Sequence, residues 1–327
     1  MLPEVKKTWG GRINTVTIGA TRAEGGTRGF TVTIGGSATL PFLSFEGHCA
    51  RPVVAMEIAD VYPQEWPDLL KEPFKNAMEK PGSWAQRCLE FGADLICLRL
   101  IGCHPEHGNR SPEQAAQAVK EVLQAVPAPL IIYGTGNADK DNEIFPVVAE
   151  AAAGENCLIG NISESNYKTL VAVCTAYKHK IIAESPCDVN IAKQVNILAQ
   201  DMGFPVENIV INPTCAALGY GLEYIYSVME RARQAGLKGD RMLGQPIVCD
   251  IGVEAWGVKE ARVSEGEIPE WGSQRHRAPL WEASTAAVYL MAGADLLVLR
   301  HPEAVEAVKK SIAELAEAAG KTSVATS

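Results

Sequence analysis

The sequence lacks a long apolar run, since no stretch approaches the ~20 consecutive apolar residues that a membrane helix needs. Its most apolar late segment, Val288–Leu299, is interrupted by Gly293 and Asp295. The segment from Met1 to Arg12 contains lysines but no apolar stretch after them, which argues against a secretory signal. These absences predict a cytoplasmic protein without a membrane span.

Closely spaced cysteine pairs are also missing. The chain has nine cysteines, but no two are separated by the two residues typical of a zinc knuckle or an iron–sulfur cluster loop. Scattered positions and an odd count favour reduced thiols, several of them buried as small hydrophobic residues. Excess positive charge is absent as well. The net charge of -9 and the pI of about 5.3 disfavour partners such as nucleic acid or an anionic membrane.

Short apolar runs alternate with longer segments of helical period over most of the chain. The eight runs are Val53–Ala59, Leu95–Leu100, Leu130–Tyr133, Leu158–Gly160, Ile181–Ala183, Ile209–Ile211, Ile247–Asp250 and Leu296–Leu299. Most are continuously apolar, as expected for parallel strands covered on both faces. The alternation predicts an α/β fold, a (β/α)8 TIM barrel over residues 51–317. A doubly wound open sheet is the alternative, because periodicity does not prove closure.

Residues 1–50 precede the barrel and are predicted to form a β-hairpin extension packed on it, at its N-terminal face. Two β-like runs, Arg12–Ile18 and Phe30–Ile34, flank the turn-rich segment GATRAEGGTR (Gly19–Arg28). At the other end, residues 318–327 are rich in Ala, Ser and Thr and are predicted to fray.

The segment Gly252–Pro279 is longer than ordinary connections between barrel elements. Such a loop is usually a lid or an interface. Trp256, Trp271 and Trp281 lie in it or just after it, and aromatic residues are enriched both at interfaces and in cores.

In a TIM barrel, residues at the carboxyl ends of the strands face the functional side. The candidate binding residues at these ends are Asp60, Arg99, Tyr133, Thr135, Asn137, Asn161, Ser163, Glu184, Ser185, Asn212, Thr214, Asp250, Arg300 and His301. Few of them carry fixed charges, so the rim suits a ligand rich in amides and carbonyls. Alternatively, each one only caps a loop, as polar rim residues do on any barrel.

Two rim segments have specific alternatives. Asn137 belongs to GTGNADKDN (Gly134–Asn142), which matches neither a dinucleotide fingerprint nor a calcium loop. Arg300-His301-Pro302 stands where a strand meets a helix N-terminus, which is either a phosphate-binding position of barrels or a capping turn.

Several catalytic signatures are absent. No strand interior carries the lysine of a Schiff-base aldolase, and Lys180 stands before its strand. The first barrel strand lacks the paired histidines of a hydrolase metal site, and there is no Gly-x-Ser-x-Gly elbow. Rim carboxylates and His301 alone are poor evidence for a metal, so no metal site and no catalytic residue are predicted.

The chain resembles the small subunit of the corrinoid iron–sulfur protein of the acetyl-CoA (Wood–Ljungdahl) pathway. The resemblance rests on GATRAEGGTR, PVVAMEIAD (Pro52–Asp60), GTGNADKDN, HKIIAESPCDVNIAKQVNIL (His179–Leu198), LGYGLEYIYSVMER (Leu218–Arg231), LWEASTA (Leu280–Ala286) and LRHPEAV (Leu299–Val305). Several long motifs in the same order are more specific than any single one.

The resemblance implies a non-autonomous methyl-transfer subunit. A larger partner subunit carries a [4Fe–4S] cluster and a cobamide, and the barrel rim of the small subunit helps to enclose that corrinoid. The methyl group comes from methyltetrahydrofolate through a separate methyltransferase and goes to acetyl-CoA synthase. This chain lacks the Asp-x-His-x-x-Gly pattern of many corrinoid domains, so the resemblance implies that both metal centres lie on the partner.

Two other functions remain open at this point. The chain is alternatively a stand-alone barrel methyltransferase that binds a pterin through Asp60, Asn161 and Asp250. It is also consistent with a scaffold that holds the larger subunit without touching a cofactor.

Overall fold

The computed structural model describes the backbone of residues 6–324 and the side chains of residues 6–317. The predicted hairpin is present, with β1 (Thr15–Ile18) antiparallel to β2 (Val32–Gly35). The predicted C-terminal fray stays a prediction, because the last helix continues to Val324 and residues 325–327 lie outside the described residues.

The eight predicted strands form one parallel sheet. They are β3 (Val53–Ala59), β4 (Leu95–Arg99), β5 (Leu130–Tyr133), β6 (Leu158–Ile162), β7 (Lys180–Glu184), β8 (Ile209–Asn212), β9 (Val248–Asp250) and β10 (Leu296–Leu299). Their order is β8-β7-β6-β5-β4-β3-β10-β9. A parallel bridge between Ile211 and Ile247 joins the two edges, and the Ile211 N–H donates to the Pro246 carbonyl at 2.8 Å. This contact brings the sheet round into the predicted barrel and excludes an open, doubly wound sheet.

Helices connect the strands on the outside of the barrel. They are α1 (Asp68–Lys71), α2 (Pro81–Glu90), α3 (Pro112–Ala125), α4 (Ala138–Ala151), α5 (Tyr167–Tyr177), α6 (Val189–Asp201), α7 (Leu222–Leu237), α8 (Ile251–Gly257), α9 (Lys259–Arg262), α10 (Gln274–Ala292) and α11 (Pro302–Val324). Ser111 and Gln114 form a capping box at the start of α3, and Asp188 caps α6 by accepting from the Asn190 and Ile191 N–H groups. Within the described residues, no helix combines the length and apolar composition that crossing a bilayer requires.

The segment Gly252–Pro279 is partly helical, and its role as a lid or an interface stays a prediction. Its first part is helical in α8 and α9, and its last part is the start of α10, which contains Pro279. Trp256 is only 2% exposed and packs in the core. The length of the segment suggested a loop, but the start of the segment is helical because the apolar face of α8 is buried against the barrel.

The apolar core has two layers. The larger layer lies between the barrel and its helices. The smaller one fills the barrel interior with residues such as Ala55, Leu158 and Val248. Val16, Ile18 and Ile34 of the hairpin belong to this inner layer, and each such buried aliphatic side chain contributes roughly 1.5–3 kcal/mol. These hairpin residues therefore close the N-terminal end of the barrel.

Arg28 attaches the hairpin to the barrel. It is 3% exposed, and its Nε donates to Glu155 Oε2 at 2.7 Å. Its Nη1 and Nη2 donate to the carbonyls of Val126 and Leu123 at 2.7 and 2.5 Å. The guanidinium thus satisfies carbonyls at the C-terminal end of α3, which have no partner within the helix. This role accounts for the arginine that ends the motif GATRAEGGTR.

Candidate functional site at the barrel mouth

A cavity of about 350 Å³ opens at the carboxyl ends of the barrel strands, and we call it the mouth. Nine of the predicted residues line the mouth: Arg99, Tyr133, Thr135, Asn161, Ser163, Glu184, Asn212, Thr214 and Asp250. They come from β4 to β9 or from the loops that follow these strands. Selecting residues at strand ends therefore assigned nine of the fourteen candidates to a common cavity.

A buried ionic network forms one wall of the mouth. Arg99 Nη2 donates to Glu57 Oε2 at 3.0 Å and also to Asp250 Oδ2. Glu57 Oε1 accepts from Arg300 Nη2 at 2.6 Å. Burial opposes ionisation of Glu57, but Arg300 and Arg99 outweigh it, so the pKa of Glu57 is lowered. Glu57 therefore fixes both arginines in place as a charged group.

Three polar atoms of this wall have no hydrogen-bond partner among the described residues. They are Tyr133 Oη, Arg99 Nε and Asp250 Oδ1, all buried. Burial raises the pKa of Asp250, with Arg99 partly offsetting the effect. Burial also raises the pKa of the Tyr133 hydroxyl. The Arg99 guanidinium carbon lies over the Tyr133 ring, 4.5 Å from the ring centroid. All three residues line the mouth, and because buried polar groups are usually paired, ordered water or a ligand in the mouth would supply the missing partners.

A row of amide and carboxyl groups forms the opposite wall. Asn161 Nδ2 donates to Glu184 Oε1 at 3.2 Å, and Asn212 Nδ2 donates to Asn161 Oδ1 at 3.4 Å. Glu184 and Asn212 end β7 and β8, and Asn161 is the penultimate residue of the adjacent strand β6. Burial and the nearby Asp250 raise the pKa of Glu184. The row offers donors and acceptors within one short span.

The loop GTGNADKDN wraps around Asp141. This carboxylate is buried and accepts from the Thr135 N–H and hydroxyl at 2.7 Å each. A Cβ on Gly134 would lie 2.5 Å from Asp141 Oδ1, so the loop requires glycine there. Asn137 caps α4 by accepting from the Lys140 N–H at 3.1 Å, and it does not line the mouth.

Four other predicted residues also lie outside the mouth. Asp60 accepts from the Gly102 N–H at 2.8 Å, and the fully buried Ser185 donates to the Asp188 carbonyl at 2.6 Å. Arg300 donates to Glu57 of the network wall, and its guanidinium carbon lies 4.6 Å from the centroid of the Trp66 ring. His301 stacks on Trp256 at 5.6 Å between ring centroids, and burial lowers the pKa of His301 to about 4.

The turn Arg300-His301-Pro302 is closed by a carboxylate of the chain itself. Glu282 is 0% exposed and accepts from the Arg300 N–H at 2.6 Å and from the His301 N–H at 3.1 Å. It also accepts from Trp256 Nε1 at 2.8 Å, and burial raises the pKa of Glu282 to about 7. The donors that bind phosphate in many barrels are therefore already taken, which matches the capping alternative.

The lining of the mouth is more acidic than the predicted neutral ring. Asp141, Glu254 and Cys215 also line it and were not among the predicted binding residues. Cys215 lies three residues beyond the end of β8, whereas Asp141 lies on α4 and Glu254 lies on α8. Their positions therefore follow from loop and helix geometry that strand ends do not encode. Among the described residues, no group of three or more His, Cys, Asp or Glu side chains is placed to hold a metal ion.

The fold and the mouth define a TIM-barrel protein with a closed base and a polar cavity at the carboxyl ends of its strands. A sequence model of the family described as CO dehydrogenase/acetyl-CoA synthase delta subunit matches residues 15–312. The chain belongs to this family. The resemblance to the small subunit of the corrinoid iron–sulfur protein is thereby confirmed, and the chain is a subunit of a larger complex.

Curated relatives agree over most of the chain. The acetyl-CoA decarbonylase/synthase complex subunit delta of Archaeoglobus fulgidus is 36% identical over 312 residues, covering 93% of this chain and 69% of that protein. The subunit of the same name from Methanocaldococcus jannaschii is 36% identical over 310 residues, covering 94% and 75%.

Solved structures share the fold alone. Coxiella burnetii dihydropteroate synthase, solved with pteroic acid, has a TM-score of 0.55 at 13% identity, covering 82% of this chain and 95% of that one. The Xanthomonas albilineans enzyme, solved with 7,8-dihydropteroate, has a TM-score of 0.54 at 14% identity, covering 80% and 93%.

Proposed function

We propose that the mouth covers one face of a cobamide that a larger corrinoid and iron–sulfur subunit carries. The observation that carries the proposal is the set of buried, unpartnered atoms on the network wall, Tyr133 Oη, Arg99 Nε and Asp250 Oδ1. A ligand that brings both donors and acceptors satisfies all three.

The residues of the mouth fit the edge of a corrin. Its acetamide and propionamide groups are neutral, and they pair with amides and hydroxyls without burying net charge. Asn161, Asn212, Thr135 and Thr214 provide such partners in the mouth. A cavity of about 350 Å³ is too small for the whole macrocycle, so only its side chains enter and the ring stays with the partner.

When bound, the cobamide supplies a cobalt centre that carries a methyl group from methyltetrahydrofolate, through a separate methyltransferase, to acetyl-CoA synthase. The chain's own residues bind and orient the side chains of the corrin and exclude water from the barrel. Asn161 and Asn212 orient amide groups, and the hairpin residues Val16 and Ile18 keep water from the base of the barrel. In this proposal the [4Fe–4S] cluster belongs to the larger subunit, and the assembled complex acts in the cytoplasm.

A stand-alone pterin-binding methyltransferase is the second candidate. The row of Asn161, Glu184 and Asn212 favours it, because a row of donors and acceptors also suits a planar heterocycle. However, of the three residues assigned to a pterin, Asp60 is turned away toward the Gly102 N–H. The proposal that the mouth covers a cobamide therefore accounts for more of the residues that line the mouth than pterin binding does.

The test is reconstitution of the heterodimer with Asn161→Ala and Asn212→Ala. Each variant removes amide pairing and is expected to lower corrinoid retention after gel filtration about tenfold, the effect of one lost hydrogen bond of roughly 1.4 kcal/mol. Asn190→Ala, at an exposed position of α6, is the matched control. Unchanged retention and an unchanged visible spectrum in both mouth variants contradict the proposal. Tight binding of methyltetrahydrofolate to the isolated chain, measured by calorimetry, would favour the second candidate.

A further inference from the structure

Carboxyl groups dominate the charge of the mouth. Asp141, Glu184, Asp250 and Glu254 line it, and the cationic side chain among its lining residues is Arg99. That guanidinium is shared between Asp250 and Glu57, which lies beneath. The lining therefore favours a positively charged ligand over the same ligand with one positive charge fewer.

Glu184 lies at the centre of this lining. The groups that face it are Asn161 from β6, Asn212 from β8, Asp250 from β9, Arg99 from β4 and Asp141 from α4. The helices behind its strand, α5 and α6, present apolar residues such as Val171 and Val195. Two of the charged neighbours are carboxyl groups and one is a guanidinium, so the surroundings of Glu184 disfavour its ionisation unless positive charge is added.

Glu184 also has an oxygen available for a proton. Its Oε1 accepts from Asn161 Nδ2 at 3.2 Å, which leaves Oε2 as the oxygen that takes a proton. The side chain is partly exposed to the mouth, so a proton reaches it from solvent. Burial raises the pKa of this carboxyl, and the charges of Asp250 and Asp141 act in the same direction.

We propose that Glu184 exchanges a proton with solvent as the charge of the ligand over the mouth changes. The inference rests on the proposed function. Glu184 is ionised while the ligand carries its higher positive charge. When a low-potential, one-electron donor of the iron–sulfur type adds an electron to the ligand, Glu184 takes up one proton from water at Oε2. The electron and the proton together leave the net charge of the mouth unchanged.

The experiment is a spectroelectrochemical titration of the cobalt in the holo-heterodimer at several pH values. In the wild type, the midpoint potential falls with rising pH by a total of about 59 mV over the range in which Glu184 changes its protonation, which is a tenfold change in the equilibrium constant of the one-electron reduction. Glu184→Gln keeps the acceptor for Asn161 but removes the charge, so the slope disappears. The reduced form also becomes about tenfold more favoured, the effect of one charge over roughly 10 Å at an effective dielectric of about 20.

Glu306→Gln, at an exposed position of α11, is the matched control and keeps the wild-type slope. Infrared difference spectra of the wild-type complex give a second measurement. Reduction produces the carbonyl band of one protonated carboxyl group, and Glu184→Gln abolishes that band. A pH-independent wild-type potential without such a band overturns the inference.

The two levels of the proposal fail in different ways. If removing the whole chain leaves the potential and the visible spectrum of the corrinoid unchanged, the proposed function is wrong. If removing the chain changes them but Glu184→Gln has the slope and infrared band of the wild type, only the inference about Glu184 is wrong.

Discussion

Arg28 attaches the hairpin to the barrel through several buried hydrogen bonds, and its replacement by methionine tests that role. Methionine fills similar space but leaves Glu155 without its cation. It also leaves the carbonyls of Val126 and Leu123 without their donor. Removing one partner of a buried ion pair costs about 3–5 kcal/mol, because the other charge remains buried. We therefore expect the free energy of unfolding to fall by about 4 kcal/mol.

The measurement is equilibrium unfolding in urea, followed by far-UV circular dichroism. Arg28→Lys keeps the charge but replaces a planar fork with a single ammonium, so we expect an intermediate loss of about 2 kcal/mol. In the double variant Arg28→Met/Glu155→Gln the buried charge is gone, and part of the stability returns. A loss below about 1 kcal/mol for Arg28→Met would refute the assignment of Arg28 as the anchor.

Two further predictions concern the core of the barrel and the turn before α11. A Cβ on Gly160 would lie 2.5 Å from the Cβ of Ile182, so Gly160→Ala is expected to cost about 1–3 kcal/mol of unfolding free energy in the same assay; a neutral result would show that β6 and β7 separate easily. The pKa of Glu282 is about 7 in the folded protein, against an ordinary value of 4.5. The protonated carboxyl therefore stabilises the folded state below pH 4.5, and this contribution is lost as the pH rises through about 7. Unfolding free energies of the wild type relative to Glu282→Gln should accordingly fall by about 3 kcal/mol between pH 4.5 and roughly pH 8, and a constant difference would contradict the raised pKa.

The strands were predictable because parallel strands covered on both faces require continuous apolar runs. Val53–Ala59, Leu130–Tyr133 and Leu296–Leu299 have the predicted bounds, and the other strands differ from prediction by one or two residues at an end. Three of these differences, at the C-terminal ends of β6, β7 and β8, occur where polar rim residues still join the ladder, as Asn212 does opposite Glu184. Closure depends on the pairing of β8 with β9, which is a long-range contact that no local pattern contains.

The mouth was predictable in position but not in every side chain. A strand end determines which edge of the barrel a residue occupies, but the following turn determines where its side chain points. Ser185 turns to the N-terminus of α6, and Asn137 caps α4. The acidic character of the lining was missed because Asp141 and Glu254 reach the mouth from a helix and not from a strand end.

The hairpin that fills the inner core has a consequence for the order of events in a multi-subunit cycle. With Val16, Ile18 and Ile34 sealing one end, everything that reaches the far end arrives and leaves by the same side. Under the proposed function, a donor and an acceptor of the methyl group compete for this one approach, and neither gains access while the other is bound. Successive partners would then take turns, and this chain would have to move away from the ligand between them.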